Sequence, residues 1–168
     1  LFRSGLGVDA IRRQPFIEKS ALESDLGFSF AQRNLLVTFH PVTLENRTAT
    51  EQMHELLGAL SDLPDTELIF TLPNADTDSR ELIQTLQQFA AQNSRAHVFT
   101  SLGQVRYFSC MTYVDGVVGN SSSGLLEAPT FRVGTVNIGD RQRGRLQAAS
   151  VINCEPNRGD IARAVKRL

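Results

Sequence analysis

A run of small polar residues, "GNSSSG" at 119–124, leads into the helical pattern "GLLEA" and raises the first chemical question in the chain. Serine hydroxyls donate hydrogen bonds, as do the unpaired N–H groups of a helix start, where partial positive charge also collects. Ser121 and Ser122 with their neighbours therefore suit a phosphate or diphosphate. The competing reading is an N-cap, in which the same serines satisfy the helix's own donors. Glu127 follows roughly one helical turn later. A carboxylate accepts from two hydroxyls at once and fits a ribose diol, unless it is simply a solvated helix residue. Arg141, in "GDRQRGR" at 139–145, carries a planar fork that can reach a phosphate. Arg143 and Arg145 read as solvated or interface residues. His40 precedes Pro41, and an imidazole there can move a proton or donate to a phosphate, or merely shape the turn. His54 and His97 fall inside a helical and a strand pattern and read as structural or exposed. No Ser-His-Asp order, Walker loop or CxxC pair is present, so the pattern alone names no reaction.

These residues need a scaffold, and the hydrophobic periodicity supplies one. Short apolar runs at 34–39, 67–72, 96–100, 114–119, 134–139 and 150–154 read as strands. Between them lie helical stripes: Met53, Leu56, Leu57 and Leu60, opened by a Thr48–Glu51 capping box; Leu82, Leu86 and Phe89 within about 78–92; a short helix in "QVRYFSCMTY"; and Ile161, Ala164, Val165 and Leu168 near the end. Strand and helix alternate, which predicts an α/β fold with a largely parallel sheet. Residues 14–30 depart from this rhythm and read as one helix and a loop packed at the edge. In such sheets ligands sit at the carboxyl ends of the strands. "HPVT", "PNAD", "GNSSSG" and "GDRQRGR" all fall there, so polar loops should converge on one edge.

Composition bounds the rest. With 168 residues, 41% of them apolar, the chain can bury one sizeable core and reads as one domain. A net charge of −1 and a pI near 6.3 give no global field for nucleic acid or a membrane. The apolar runs are far too short to span a bilayer. Two cysteines, Cys110 and Cys154, are too few for a disulfide framework and read as buried free thiols of a reducing, cytoplasmic compartment. The histidines show no metal-ligand spacing, and no metal or cofactor is expected. "LFRSGLGVDAI" at 1–11 lacks the character of a signal peptide and reads as a segment entered midway.

"TFHPVT" at 38–43, "GNSSSGLLEAP" and "GTVNIGDRQRGR" together resemble the UDP-N-acetylglucosamine 2-epimerase family over nearly the whole chain. "HPVTLEN" is most similar to the hydrolysing branch, which serves sialic acid and capsule biosynthesis. The resemblance implies a Rossmann-like parallel sheet flanked by helices, the C-terminal half of a two-domain GT-B architecture. "GLGVDAI" would be the junction with a missing N-terminal domain, and residues 1–30 the edge segment leading from it. The resemblance further implies UDP-N-acetylglucosamine or UDP as ligand and a homo-oligomer in the full-length form. His40 would lie over the diphosphate and sugar. Asn74 and the backbone of Leu102 and Gly103 would flank the nucleotide. Ser121 and Ser122 would hold the phosphates, Glu127 the ribose, and Arg141 the rim. UDP would leave by elimination and water would add to give N-acetylmannosamine, with the carboxylates for that chemistry mainly in the other domain. This chain alone would then be inactive. The alternatives are the donor domain of a GT-B glycosyltransferase and a non-catalytic UDP-sugar-binding module.

Overall fold

The computed structural model describes residues 11, 14–40, 49–73 and 80–168. Thr48 of the expected capping box, Asn74, and the Pro41–Thr43 part of "HPVT" lie outside the described residues. The strands are β1 (Arg33–Thr38), β2 (Thr66–Thr71), β3 (Ala96–Phe99), β4 (Gly116–Gly119), β5 (Gly134–Ile138) and β6 (Val151–Cys154). The helices are α1 (Lys19–Leu26), α2 (Ala49–Ser61), α3 (Arg80–Gln92), α4 (Gly103–Met111), α5 (Ser122–Leu126) and α6 (Arg158–Val165), with a 3-10 turn at Ala128–Phe131.

All six strands pair in parallel, in the order β3-β2-β1-β4-β5-β6. A parallel sheet is stable when both faces are covered, and the alternation along β1 achieves this. Leu35 and Val37 point to the face covered by Met53, Leu56 and Leu60 of α2, Leu82 and Leu86 of α3, and Ile161 and Val165 of α6. Leu36 points the other way and joins Leu22 of α1, and Phe108 and Met111 of α4. The chain thus winds outward from β1 through β2 to β3, then returns to add β4, β5 and β6 on the other side. The β1/β4 junction is the point where the order reverses, the place where open α/β sheets form a crevice.

The edge segment is held by specific contacts. Tyr113 Oη donates to the Ile17 carbonyl at 3.1 Å, and the Ile17 N–H donates to Ser109 Oγ at 2.9 Å. Arg106 pairs with both carboxylate oxygens of Asp25 at 2.5 and 2.9 Å. Gly27, at φ 77°, stops α1 and sends its N–H back to the Glu23 carbonyl. Both thiols are free; Cys110 is buried as expected, whereas Cys154 is half-exposed at the end of β6. Loss of hydration on burial pushes each thiol up to about 12.

Two glycines fix how the chain leaves β4. Gly119 has φ 138°, and a Cβ there would lie 1.9 Å from the Thr38 carbonyl oxygen. Gly124 lets α5 settle on β5: a Cβ would meet Thr135 Cγ2 at 2.6 Å, and Thr135 Oγ1 donates to the Gly124 carbonyl at 2.8 Å. Gly119→Ala should therefore cost on the order of 3 kcal/mol or more of folding stability. Urea unfolding of the variant measures it, and a loss under about 1 kcal/mol would show that β4 can relax away from β1.

Candidate functional site

The strand register carries polar residues to one edge of the sheet. Phe99, Thr71, Thr38, Gly119, Asn137 and Asn153 form a single row across the strands, next to an apolar row of Val98, Phe70, Val37, Val118, Val136 and Ile152. Thr38 and Thr71 are buried, and their hydroxyls satisfy each other at 2.6 Å. They floor an open cleft of about 500 Å³ at the β1/β4 crevice. Its walls bring together His40, Ser121, Ser122 and Glu127, with Leu102 and Gly103 at the start of α4. These six were singled out from separate stretches of sequence, and the fold places them in one hollow.

Asn120 organises this assembly, and sequence reasoning gave it no role. Its side chain is buried, with 1% exposure. Oδ1 accepts from the His40 N–H at 2.7 Å while Nδ2 donates to the His40 carbonyl at 2.9 Å. The amide thus pairs with both backbone groups of His40. The Asn120 N–H donates to the Thr38 carbonyl at 3.2 Å. Its own carbonyl accepts from Arg141 Nη1 at 3.1 Å and from Gln142 Nε2 at 2.8 Å. Arg141 therefore stands beside the serine turn, bound to its backbone rather than among the residues lining the cleft.

The serine turn differs from the expectation of a helix with a charged start. α5 has only five residues, and Ser121 is its N-cap, its Oγ accepting from the Ser123 N–H at 3.4 Å. A helix this short builds little macrodipole, so the hydroxyls must supply most of any attraction for an anion. Glu127 caps the other end, half-buried, its N–H bonded to the Ser123 carbonyl at 2.9 Å. Tyr107 of α4 also lines the cleft and was not singled out by sequence. Its hydroxyl and that of Ser123 are both buried in the cleft wall. Burial raises the Tyr107 pKa, while side-chain hydrogen bonds with Ser123 and Thr38 pull it back and the Glu127 charge adds to the rise. Among the described residues, no Lys or Arg lines this cleft.

A second hollow, of about 710 Å³, lies at the ends of β5 and β6 and holds Arg143, Arg145, Arg163 and Arg167. Arg143 pairs with Asp140 and Arg163 with Asp160. Its mixed charge gives less preference for an anion than a wall of unopposed donors. His97 stands far from catalytic duty: it stacks on Phe28 with ring centroids 4.1 Å apart and bonds Glu67 at 2.6 Å. His54 is exposed on α2. Among the described residues, no group of His, Cys, Asp and Glu could hold a metal ion, and no helix is long and apolar enough to cross a membrane.

The sequence profile of the family described as UDP-N-acetylglucosamine 2-epimerase matches residues 5–168. The chain belongs to that family. Its relatives include a GDP/UDP-N,N'-diacetylbacillosamine 2-epimerase (hydrolyzing) of Campylobacter jejuni, 36% identical over 159 residues. That match takes in 94% of this chain and 41% of the relative. The polysialic acid biosynthesis protein P7 of Escherichia coli is 38% identical over 148 residues, covering 88% of this chain and 37% of P7. The chain thus spans about two fifths of the length of these epimerase-family relatives. Among solved structures, Staphylococcus aureus MnaA with UDP superposes at a TM-score of 0.72 with 16% identity, over 96% of this chain and 43% of MnaA. The Neisseria meningitidis UDP-GlcNAc 2-epimerase bound to UDP-GlcNAc does so at 0.67 with 13% identity, over 96% and 42%. At those identities the likeness establishes the shared fold.

Asn120→Ala would remove the side-chain partner of two part-buried backbone groups of His40, each costing about 1–3 kcal/mol. The expected loss of stability is about 2–4 kcal/mol by chemical denaturation. Asn120→Asp keeps the acceptor for the His40 N–H but turns an anion toward its carbonyl, so it should recover only part. Stability within about 0.5 kcal/mol of the parent for both variants would mean that His40 is held by other contacts.

Proposed function

We propose that this chain is the UDP-binding, C-terminal half of a two-domain hydrolysing UDP-N-acetylglucosamine 2-epimerase. The observation that carries the reading is the convergence of His40, the serine turn and Glu127 in one cleft at the β1/β4 crevice, in a chain of this family. Support for the hydrolysing branch comes from the C. jejuni relative, a hydrolyzing 2-epimerase. On this reading the diphosphate lies against the hydroxyls of the serine turn, with Arg141 at the rim. The Glu127 carboxylate accepts from the ribose hydroxyls. Leu102 and Gly103 offer backbone groups to the nucleotide. The family resemblance would add Asn74 beside the nucleotide.

The reaction has two halves. A base takes the proton from C2 of the sugar as the C1–O bond breaks; the electron pair becomes the C1=C2 bond of a 2-acetamidoglucal, and UDP departs with the bonding electrons. Water then adds across that bond, hydroxyl to C1 and proton to C2, giving N-acetylmannosamine. Charge grows on the departing oxygen, and donors fixed in advance around the diphosphate stabilise it. Proton removal and return need a base and an acid. His40, over the diphosphate and sugar, is the one such group this half contributes; carboxylates come from the other domain.

The decisive experiment incubates the full-length protein with UDP-N-acetylglucosamine and, separately, with UDP-N,N'-diacetylbacillosamine, and identifies the released sugar. A free 2-epimer plus UDP is expected from one of them. A sugar that stays on UDP, or that appears only on an added acceptor, overturns hydrolysis.

Four site variants extend the test. Ser122→Ala and Arg141→Ala should each weaken UDP binding by about 1.5–3 kcal/mol in calorimetric titration, with folding stability little changed. Glu127→Gln should weaken UDP while narrowing the difference between UDP and 2′-deoxy-UDP; an unchanged difference removes Glu127 from the ribose. His40→Ala should lower turnover by on the order of 10²-fold. The 168-residue chain alone should bind UDP only near about 1 mM, which corresponds to about 4 kcal/mol, and release no sugar.

A further inference from the structure

One carbonyl beside the cleft has more donors than it needs. The Asn120 carbonyl accepts from Gln142 Nε2 at 2.8 Å and from Arg141 Nη1 at 3.1 Å, and either bond alone would satisfy it. The two donors differ in their surroundings. Gln142 is buried, with 1% exposure, and so is its bond to the carbonyl. Arg141 is exposed, and no carboxylate pairs with it among the described residues, whereas Arg143 is paired with Asp140. The backbone beneath them is held. The Gly139 N–H donates to the Cys154 carbonyl at 3.0 Å, and the Arg143 N–H closes a turn on the Asp140 carbonyl at 2.9 Å. Arg141 and Gln142 are the middle residues of that turn, so the part free to move is the exposed side chain.

Asn120 directly precedes Ser121 and Ser122, which line the cleft. Arg141 thus stands one residue from the serine turn with a neutral acceptor as its partner. A phosphoryl group is charged and offers two oxygens to the parallel N–H groups of a guanidinium, which a single carbonyl cannot do. A bound diphosphate would therefore draw Arg141 off the carbonyl. Were Arg141 the only donor, that movement would orphan a buried carbonyl, and the cost would be subtracted from the affinity. With Gln142 in place the carbonyl keeps one donor, and the serine turn stays tied to the loop after β5.

We propose that Gln142 is a positioning residue: it is the fixed tether of the Asn120 carbonyl and frees Arg141 to leave that carbonyl for a phosphoryl group of a bound nucleoside diphosphate. The proposal rests on the nucleotide reading of the cleft. It gives Gln142, which touches no ligand, a part in how tightly the ligand is held.

The test uses the full-length protein carrying Gln142→Met, Arg141→Ala and both, with UDP and uridine titrated by calorimetry and melting followed without ligand. Methionine roughly keeps the volume and removes the donor. Gln142→Met should raise the UDP Kd about tenfold, because Arg141 must then stay on the carbonyl, and should leave the uridine Kd unchanged. Adding Arg141→Ala to it should raise the UDP Kd by less than about twofold further, although the same change in the parent raises it about tenfold or more. Without ligand the order reverses. Arg141→Ala should leave the melting temperature of the parent in place but lower that of the Gln142→Met protein by about 2 °C or more, since no donor then remains for the carbonyl. A glutamine that only packs would not make the cost of Arg141→Ala depend on it. Equal costs of Arg141→Ala for UDP in both backgrounds, or an unchanged UDP Kd in Gln142→Met, would overturn the tether while the nucleotide site stands. Side-chain NMR of the parent gives a reading that needs no variant to fold: UDP should shift the Arg141 guanidinium resonance while the Gln142 amide protons stay protected from exchange with solvent. An unmoved Arg141 resonance, or lost protection at Gln142, also overturns the tether. If the parent binds neither UDP nor uridine, the nucleotide reading itself fails and takes the tether with it.

Discussion

The amide of Asn120 is the contact on which the site's geometry depends. The loop after β1 and the loop after β4 are far apart in sequence and are brought together at the point where the strand order reverses. Strand pairing ends at Thr38 and Gly119, so beyond that row nothing in the sheet holds the two chains in register. Asn120 continues the pairing with a side chain, giving the His40 backbone the donor and acceptor that another strand residue would have supplied. Its own carbonyl draws in Arg141 and Gln142 from the loop after β5. Three loops are tied through one residue. The tie is possible because Gly119 has no side chain to collide with the Thr38 carbonyl. One absent methyl group and one amide therefore convert three strand ends into a single wall.

The same row explains why polar groups can be buried here without destabilising the sheet. One residue earlier, the row from Val98 to Ile152 is apolar and feeds the core beneath α2, α3 and α6. At the row itself Thr38 and Thr71 appear as neighbours and satisfy each other, and Asn137 donates to Asn153 Oδ1 at 2.8 Å. The sheet changes character over a single residue step of about 3.3 Å. A cleft built on that boundary has a rigid apolar foundation and a polar lining.

Much of this was legible in the sequence, and what escaped did so for physical reasons. Period-3.6 stripes such as Met53-Leu56-Leu57-Leu60 and short apolar runs such as "NLLVTF" located the helices and strands within a residue or two, because burial on a sheet face imposes those periods. Gly119 as the exit from β4 was readable, since a glycine between a strand and a polar turn has few other reasons to be there. The clustering of His40, the serines and Glu127 followed from strand ends being where parallel sheets gather their loops. The helix at the serine turn was overestimated: "GLLEA" has helical composition, but α5 ends at Leu126 and a 3-10 turn containing Pro129 follows. Asn120 and Tyr107 carried no local signal. The partner of the first is 80 positions away. The second sits in a stretch whose periodicity speaks only of packing, and its place in the cleft wall beside Ser123 is a fact about neighbours, not sequence.

The distribution of charge around the cleft bears on how such a half-site can work. Among the described residues, its lining offers neutral donors (serine, threonine and tyrosine hydroxyls, with backbone groups near Gly103), a histidine and one carboxylate, and no Lys or Arg. Arg141 is set back against the Asn120 carbonyl. Neutral donors stabilise a diphosphate through short-range geometry and not through long-range attraction, so they reward a correctly placed ligand more than a nearby one. They also leave the opposite side of the cleft free to carry acids. On the proposed two-domain reading, further carboxylates carried by the other domain would meet the sugar from across the cleft while the phosphates stay against the hydroxyls, away from their negative charge. His40 and Glu127 already stand in this wall, so closing the two halves over substrate would bring the remaining proton-transfer groups to them.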